Sequence, residues 1–275
     1  MVINNIVLGM EIGSLFIEEL QKKNISKKMT TLFVSDLHLS QHRLEKLNLF
    51  KKLLAGPAKN ADAFYILGDL FDDFWIGCDD TRSPNPEIIE ILRSYSSHEN
   101  TRLYLMRGNR DFHINKKFAI ATGCQIINDP TEIYLNNEKV LLMHGDTLCT
   151  HDEKYQNWRK FITNSLIKWI YSIMPLMLRQ YIAHGVRGHA AKVVKNKPPE
   201  ITDVSQDAVT NAMNKYNVKT LIHGHTHRQA IHKVKTSEVP ARRIVLGDWY
   251  EKDSILIHDK NDFRFERVEN YIANN

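Results

Sequence analysis

Residues 31–40 read TLFVSDLHLS, an apolar run of strand length that ends in a polar cluster holding Asp36 and His38. The same construction returns along the chain: AFYIL before Gly68-Asp69, RLYLM before Gly108-Asn109, and VLLM before His144. Runs this short, rich in aromatic and branched residues and bounded by turn formers, read as strands. Helical patterns lie between the early ones, from Arg43 to Leu54, from Glu87 to Tyr95 after Pro86, and from Lys116 to Thr122. Strand and helix therefore alternate to about residue 125, the pattern of an α/β sheet.

Beyond that point the chain changes character. A predicted helix from Val204 to Tyr216 is followed by TLIHG, QAIHKVK, RRIVLGD and SILIHD, short strands separated by turns. They suggest a second sheet with antiparallel pairs, so two packed sheets flanked by helices fit better than one open sheet.

The gaps from Asp36 to Asp69, Asp69 to Asn109 and Asn109 to His144 are 33, 40 and 35 residues, one or two α/β units each. The same sheet edge is then expected to receive a polar cluster at every return. A late loop, HGHTHR, adds His225 and His227. Singly, each of these residues has an ordinary structural explanation, a turn-capping Asp or a surface His. Together they form a ligand set of carboxylates, imidazoles and one carboxamide with no thiolate, which suits Mn²⁺ better than structural zinc. His223, in the same loop motif, reads as a strand-end histidine satisfied by hydrogen bonds.

Composition bounds the remaining possibilities. The 275 residues are 43% hydrophobic and 25% charged with a mean hydropathy of −0.38, an ordinary globular composition that excludes disordered, collagenous and integral membrane classes. Cys78, Cys124 and Cys149 have no C-x-x-C spacing, which speaks against a disulfide framework or a zinc ribbon and for a reducing compartment. Residues 1–28 share none of the later chemistry and read as an N-terminal extension, flexible or an artefact of start-codon choice, without a signal peptide or membrane span.

The net charge of +5 is local. Between His151 and Glu200 nine Lys/Arg face three Asp/Glu, a net of +6, which leaves the other 225 residues at −1. The cations alternate with apolar residues from Trp158 to Leu178, a basic and apolar pattern over several helical turns. This confinement argues against nucleic-acid binding, which asks for a basic face with stacking aromatics.

The ordered set D-x-H, G-D-x-x-D, G-N-x-D, H-G and G-H-x-H resembles the calcineurin-like metallophosphoesterases over residues 30 to 260. That resemblance implies an α/β fold, a four-layer αββα metallophosphoesterase sandwich with a helical cap insertion. It implies two Mn²⁺ per chain, one held by Asp36, His38, Asp69 and His227, the other by Asp69, Asn109, His144 and His225. Two such ions roughly 3.5 to 4 Å apart activate water for in-line attack on phosphorus. Asn109 is followed by Arg110, where many relatives of this fold place a proton-donating histidine. Arginine cannot donate a proton at neutral pH but can hold phosphate oxygens. A departing phosphate needs no general acid, so Arg110 points toward a pyrophosphate substrate. The competing explanation is a surface arginine paired with Asp111.

The words between the ligands, YILGDLFDDFWIG, GNRDF, LLMHGDTLCT, HDEKYQNWR, IHGHTHR and VLGDW, are similar to those of the UDP-2,3-diacylglucosamine pyrophosphohydrolase family. The resemblance implies hydrolysis of an acylated UDP-sugar to UMP and lipid X in lipid A biosynthesis. It also implies a peripheral enzyme on the cytoplasmic face of the bacterial inner membrane, with no obligate protein partner. Asp69, Asn109, Arg110 and His144 would be catalytic; Asn109, Arg110, Asp152, Tyr155, Lys197 and His225 would contact substrate. The expected division is a di-metal core of residues 29–150 and 201–275 and a lipid-binding cap of residues 151–200. Members of the family tend to place Ser and Asn where this chain has Ala190 and Val194. The alternative is a phosphodiesterase of the same fold acting on a soluble nucleotide, and a non-catalytic scaffold is disfavoured because all seven ligands are present.

Overall fold

A computed structural model describes residues 29–195, 198–235, 240–260 and 262–275. The N-terminal extension anticipated at residues 1–28 lies outside the described residues, as does Lys197.

Strands β1 (Thr31–Val34), β2 (Ala63–Leu67), β3 (Leu103–Met106) and β4 (Gln125–Ile127) are parallel neighbours. They are joined through α1 (Leu44–Ala55), α2 (Asn85–Ser96) and α3 (Lys116–Thr122). Near the C-terminus β10 (Ser254–Asp259) pairs antiparallel with β1, and β11 (Asp262–Arg267) with β10, giving a six-stranded sheet in the order β11-β10-β1-β2-β3-β4. SILIHD therefore belongs to the first sheet, a correction to the expectation that placed it in the second. The second sheet has the order β5-β6-β7-β9-β8, from β5 (Thr131–Leu135), β6 (Glu138–Met143), β7 (Thr220–His223), β8 (Ala230–Lys235) and β9 (Pro240–Val245). It is mixed: β5-β6 and β8-β9 are antiparallel, while β6-β7 and β7-β9 are parallel.

Side chains of successive strand residues point to opposite faces, and both faces here are covered. Phe33, Leu67, Met106 and Leu256 of the first sheet meet Val140, Leu142, Ile222 and Ile244 of the second in one apolar layer. The alternate residues of the first sheet, among them Leu32, Val34, Phe64, Ile66, Leu105 and Ile257, pack under α1, α2, α3 and α9 (Val268–Asn274). Leu141, Met143 and Leu221 face outward under α8 (Gln206–Tyr216) through Val209 and Met213. The result is the four-layer αββα sandwich, and burial on both faces explains why the strands read as unbroken apolar runs. Helix α8 starts two residues later than its pattern suggested because Ser205 caps it, its hydroxyl accepting from Ala208 N at 3.4 Å.

Between β6 and β7 of the second sheet, ahead of α8, the chain makes α4 (Glu153–Thr163), α5 (Ser165–Ile173), α6 (Leu176–Lys195) and the short α7 (Pro199–Thr202). Neither α4 nor α5 has a buried residue. Phe161, Leu166, Trp169, Ile173, Met177 and Tyr181 are exposed, with Met177 at 82%. These apolar side chains are therefore not part of the core.

Leu142 is fully buried where the sheets meet. Leu142→Ala should lower unfolding stability by about 2–5 kcal/mol in a denaturant titration; a loss below about 1 kcal/mol would contradict an inter-sheet core at this position.

Candidate di-metal active site

Asp36, Asp69 and Asn109 follow the carboxyl ends of β1, β2 and β3, and His144, His225 and His227 follow those of β6 and β7. The candidate ligands thus come from both sheets, not from one edge as the spacing suggested. Short backbone bonds bind the strand ends together: Asp36 N donates to Gly68 O at 3.1 Å, His38 N to Asp69 O at 3.0 Å, and Gly224 N to His144 O at 2.8 Å. Asp36, His38, Asp69, His225 and His227 all adopt left-handed backbone, with φ from 46° to 67°. Such conformations cost on the order of 1–3 kcal/mol each for non-glycine residues and persist where the surroundings over-determine them. The crowding also dictates two glycines. A Cβ at Gly108 would overlap Asp69 Oδ1, and one at Gly224 would overlap Ser35 Oγ and Asp36 Oδ2.

Two sets of ligand atoms gather, Asp36 with His38 and His227, and Asp36 with Asp69 and His144, each within 4.8 Å. Asp69 lies between them: Oδ2 is 3.9 Å from His38 Nε2 and Oδ1 is 3.7 Å from His144 Nε2. Asn109 Oδ1 is 3.1 Å from His144 Nε2 and 2.9 Å from His225 Nδ1. His227 Nε2 is 3.3 Å from Asp36 Oδ1. All seven sequence-derived ligands therefore converge.

The donor atoms fit divalent cations. Both ring nitrogens of His38 are buried with no hydrogen-bond partner among the described residues, and buried Asp36 Oδ1 has only the His227 ring nitrogen 3.3 Å away, an arrangement that is costly unless a cation takes them up. His144 Nδ1 donates to Leu67 O at 2.8 Å, which turns Nε2 into the site. His223 joins neither ligand set; its buried Nδ1 lies 2.8 Å from Gly224 O, while its Nε2 has no hydrogen-bond partner among the described residues, so the expected satisfaction is met at one nitrogen only.

Burial, the largest influence, raises the Asp69 pKa to about 7, with the Asp36 and Asp111 carboxylates adding to it. Burial alone would lower the His144 pKa, but Asp69, Asp146 and Asp36 outweigh it and hold the ring at about 9. Burial pushes His38 and His225 down to about 4, keeping those imidazoles neutral.

Two residues in the quoted motifs, Asp111 and Asp248, and Tyr250 just beyond them support the ligands without having been assigned a role. Asp111 accepts from Gly108 N at 2.5 Å and Leu70 N at 3.0 Å, fixing the loop that carries Asn109. Its carboxylate is thereby occupied, and Arg110 makes no ion pair among the described residues, which removes the Arg110–Asp111 surface pair. Asp248 Oδ2 lies 3.7 Å from His227 Nδ1, and Asp248 Oδ1 accepts from Tyr250 N at 2.6 Å. The Tyr250 ring then packs 4.9 Å from His38, and its hydroxyl donates to Asp72 at 2.7 Å. The signal available in sequence was a carboxylate standing beside glycine in GNRD and LGD.

Of the proposed substrate contacts, Arg110 lies 5.5 Å over the Phe74 ring. Asp152 caps α4, accepting from Tyr155 N at 3.2 Å. The Tyr155 hydroxyl donates to Asp146, with its ring 6.3 Å from that of His225. Trp158 packs against Phe112 at 5.8 Å and Phe74 at 6.5 Å. Ion pairs of Arg179 with Asp79 and of Arg187 with Asp72 and Asp73 fasten α6 to the loops beyond β2.

Residues 29–229 match the calcineurin-like phosphoesterase family. The chain belongs to that family. Among curated relatives, it is 46% identical over 233 residues to a UDP-2,3-diacylglucosamine hydrolase of Pseudomonas savastanoi pv. phaseolicola, covering 84% of this chain and 93% of that protein. It is 42% identical over 241 residues to the protein of the same name from Aeromonas hydrophila, covering 87% and 98%. The solved phosphoesterase Yfce from E. coli aligns with a TM-score of 0.44 and 15% identity over 88% of this chain and 95% of that one, too loose a match to bear on the site. The chain is thus a metal-dependent hydrolase by family and by the ligand cluster it carries.

Because Asp69 and His144 hold protons more tightly than usual, a divalent cation must displace them. Mn²⁺ uptake at pH 7 should release protons and tighten as pH rises toward 9. Calorimetric titration in two buffers of different ionisation heat tests this, and identical heats in both would contradict it.

Proposed function

We propose that this chain hydrolyses the pyrophosphate of UDP-2,3-diacylglucosamine by water attack at the α-phosphorus, giving UMP and 2,3-diacylglucosamine 1-phosphate (lipid X) for lipid A biosynthesis. The observation that carries the reading is the convergence of seven ligands beside Arg110, which makes no ion pair among the described residues, and an aromatic wall of Phe74, Phe112 and Trp158. The names of the curated relatives point to the same substrate.

The resident ions are proposed to be two Mn²⁺. When bound, they supply Lewis acidity and an activated water. Asp69 turns one oxygen toward His38 and the other toward His144 and would serve both positions, with Asp36, which also lies near both rings, beside it. His38 and His227 complete one position with Asp36; Asn109, His144 and His225 complete the other. Arg110 presents a fixed cationic fork to the phosphate oxygens, and the departing sugar phosphate needs no proton because its second pKa is about 6. Asp152, Tyr155 and Lys197 are assigned to the substrate head group.

Residues 151–200 are proposed as a lipid-binding cap over a core of 29–150 and 201–275. The chain has no Asp or Glu from Lys154 to Pro199, and α5 and α6 expose Leu166, Trp169, Ile173, Met177, Leu178 and Tyr181. An acid-free, aromatic-rich surface suits the interface of an anionic bilayer. No helix among the described residues is long and apolar enough to cross a membrane. The proposed location is accordingly peripheral, on the cytoplasmic face of the bacterial inner membrane.

Incubation with Mn²⁺ and UDP-2,3-diacylglucosamine in ¹⁸O-water should give labelled UMP and unlabelled lipid X by mass spectrometry. Label in lipid X would move the attack to the other phosphorus, and no product from the Mn²⁺-loaded protein would refute the substrate. Arg110→Ala should lower turnover about 10²-fold or more with Mn²⁺ content unchanged, as for loss of a charge-stabilising donor. Loss of metal instead would show that Arg110 serves the ligands and not the phosphates.

A further inference from the structure

Outside the ligand cluster, a largely buried arginine of α4 is tied to the strand end that carries His144. Arg159 of α4 donates from Nε to Asp146 Oδ2 at 2.6 Å and from Nη2 to Asp129 Oδ2 at 3.3 Å. Both carboxylates are almost fully enclosed, at 1% and 7% exposure. Asp129 in turn accepts from His144 N at 3.3 Å, and Asp146 stands two residues beyond His144. One turn earlier on the same helix, the Tyr155 hydroxyl donates to Asp146 and its ring packs on His225. Gln156 Nε2 donates to Asp146 O at 2.8 Å and Cys149 O at 3.1 Å, fixing the backbone of the same loop. Three side chains of one α4 face, Tyr155, Gln156 and Arg159, thus grip the loop after His144, and one of them also touches His225.

We propose that Arg159 is a positioning residue that sets the metal position formed by Asn109, His144 and His225, so that α4 acts as a strut between the helical segment and that ion alone. The physical reason is that a buried carboxylate without its cation must move or be solvated, and Asp129 and Asp146 both bear directly on where His144 sits. None of the α4 contacts reaches Asp36, His38 or His227. The effect should therefore be selective between the two positions, which a general loss of packing would not be. The proposal rests on the two-position reading of the metal centre given above.

The test is a Mn²⁺ titration by calorimetry of the full chain after chelator treatment, without substrate, with circular dichroism confirming the fold. Wild type should show two sites, and His144→Ala identifies which of them belongs to His144. Arg159→Met should weaken that same site about 10–100-fold, the usual range for lost outer contacts, and leave the other within about twofold. Arg159→Lys should recover part of the affinity. Should Arg159→Met fail to fold, Tyr155→Phe, which removes one hydroxyl and keeps the ring on His225, should still weaken the His144 site. Wild-type affinities at both sites in folded variants, or equal weakening of both sites, would overturn the proposal alone. A wild-type protein that takes up a single ion would overturn it together with the two-metal reading.

Discussion

Everything in this molecule is arranged around carboxylates buried where two sheets meet. Asp36 and Asp69 are 0% and 2% exposed, and Asp111 and Asp146 beside them are fully enclosed. Taking that much negative charge out of water is unfavourable unless cations are brought to it. The chain supplies the guanidinium groups of Arg159 and Arg110 and a ring of imidazoles, and the rest of the balance is a task for divalent ions. The left-handed backbone at five ligands follows from the same requirement, because only there do strand ends turn sharply enough to aim short side chains at a common point.

The sandwich makes that convergence possible. Parallel strands β1, β2 and β3 deliver Asp36, Asp69 and Asn109 at their carboxyl ends, and β6 and β7 deliver the histidines from the facing sheet. The inter-sheet layer of Phe33, Leu142 and Ile222 sets their separation, so the core and the chemistry share one constraint. Helices α4 and α6 are held beside this site by ion pairs, while apolar side chains of α4 to α6 stay exposed.

Much of this was legible in sequence because buried parallel strands are continuous apolar runs, and TLFVS, AFYIL and RLYLM are each followed within three residues by one that the site uses, Asp36, Asp69 and Asn109. What was hidden had physical causes. Strands β5 and β11, TEIYL and DFRFER, lie at sheet edges where alternate residues are solvated, so their polarity masks them. The membership of SILIHD in the first sheet depends on a pairing with Thr31 to Phe33 some 225 residues away, which no local pattern encodes. Asp248, Tyr250 and Arg159 act through contacts across the fold, and their roles appear only when the partner is known.

The central claim is that two ions share Asp69 at this meeting of sheets. Electron paramagnetic resonance of the protein loaded with two equivalents of Mn²⁺ addresses it directly. The account predicts the broad spectrum of an exchange-coupled Mn²⁺ pair, replaced by that of uncoupled ions in Asp69→Asn. A six-line spectrum of magnetically isolated Mn²⁺ in the fully loaded wild-type protein would contradict it.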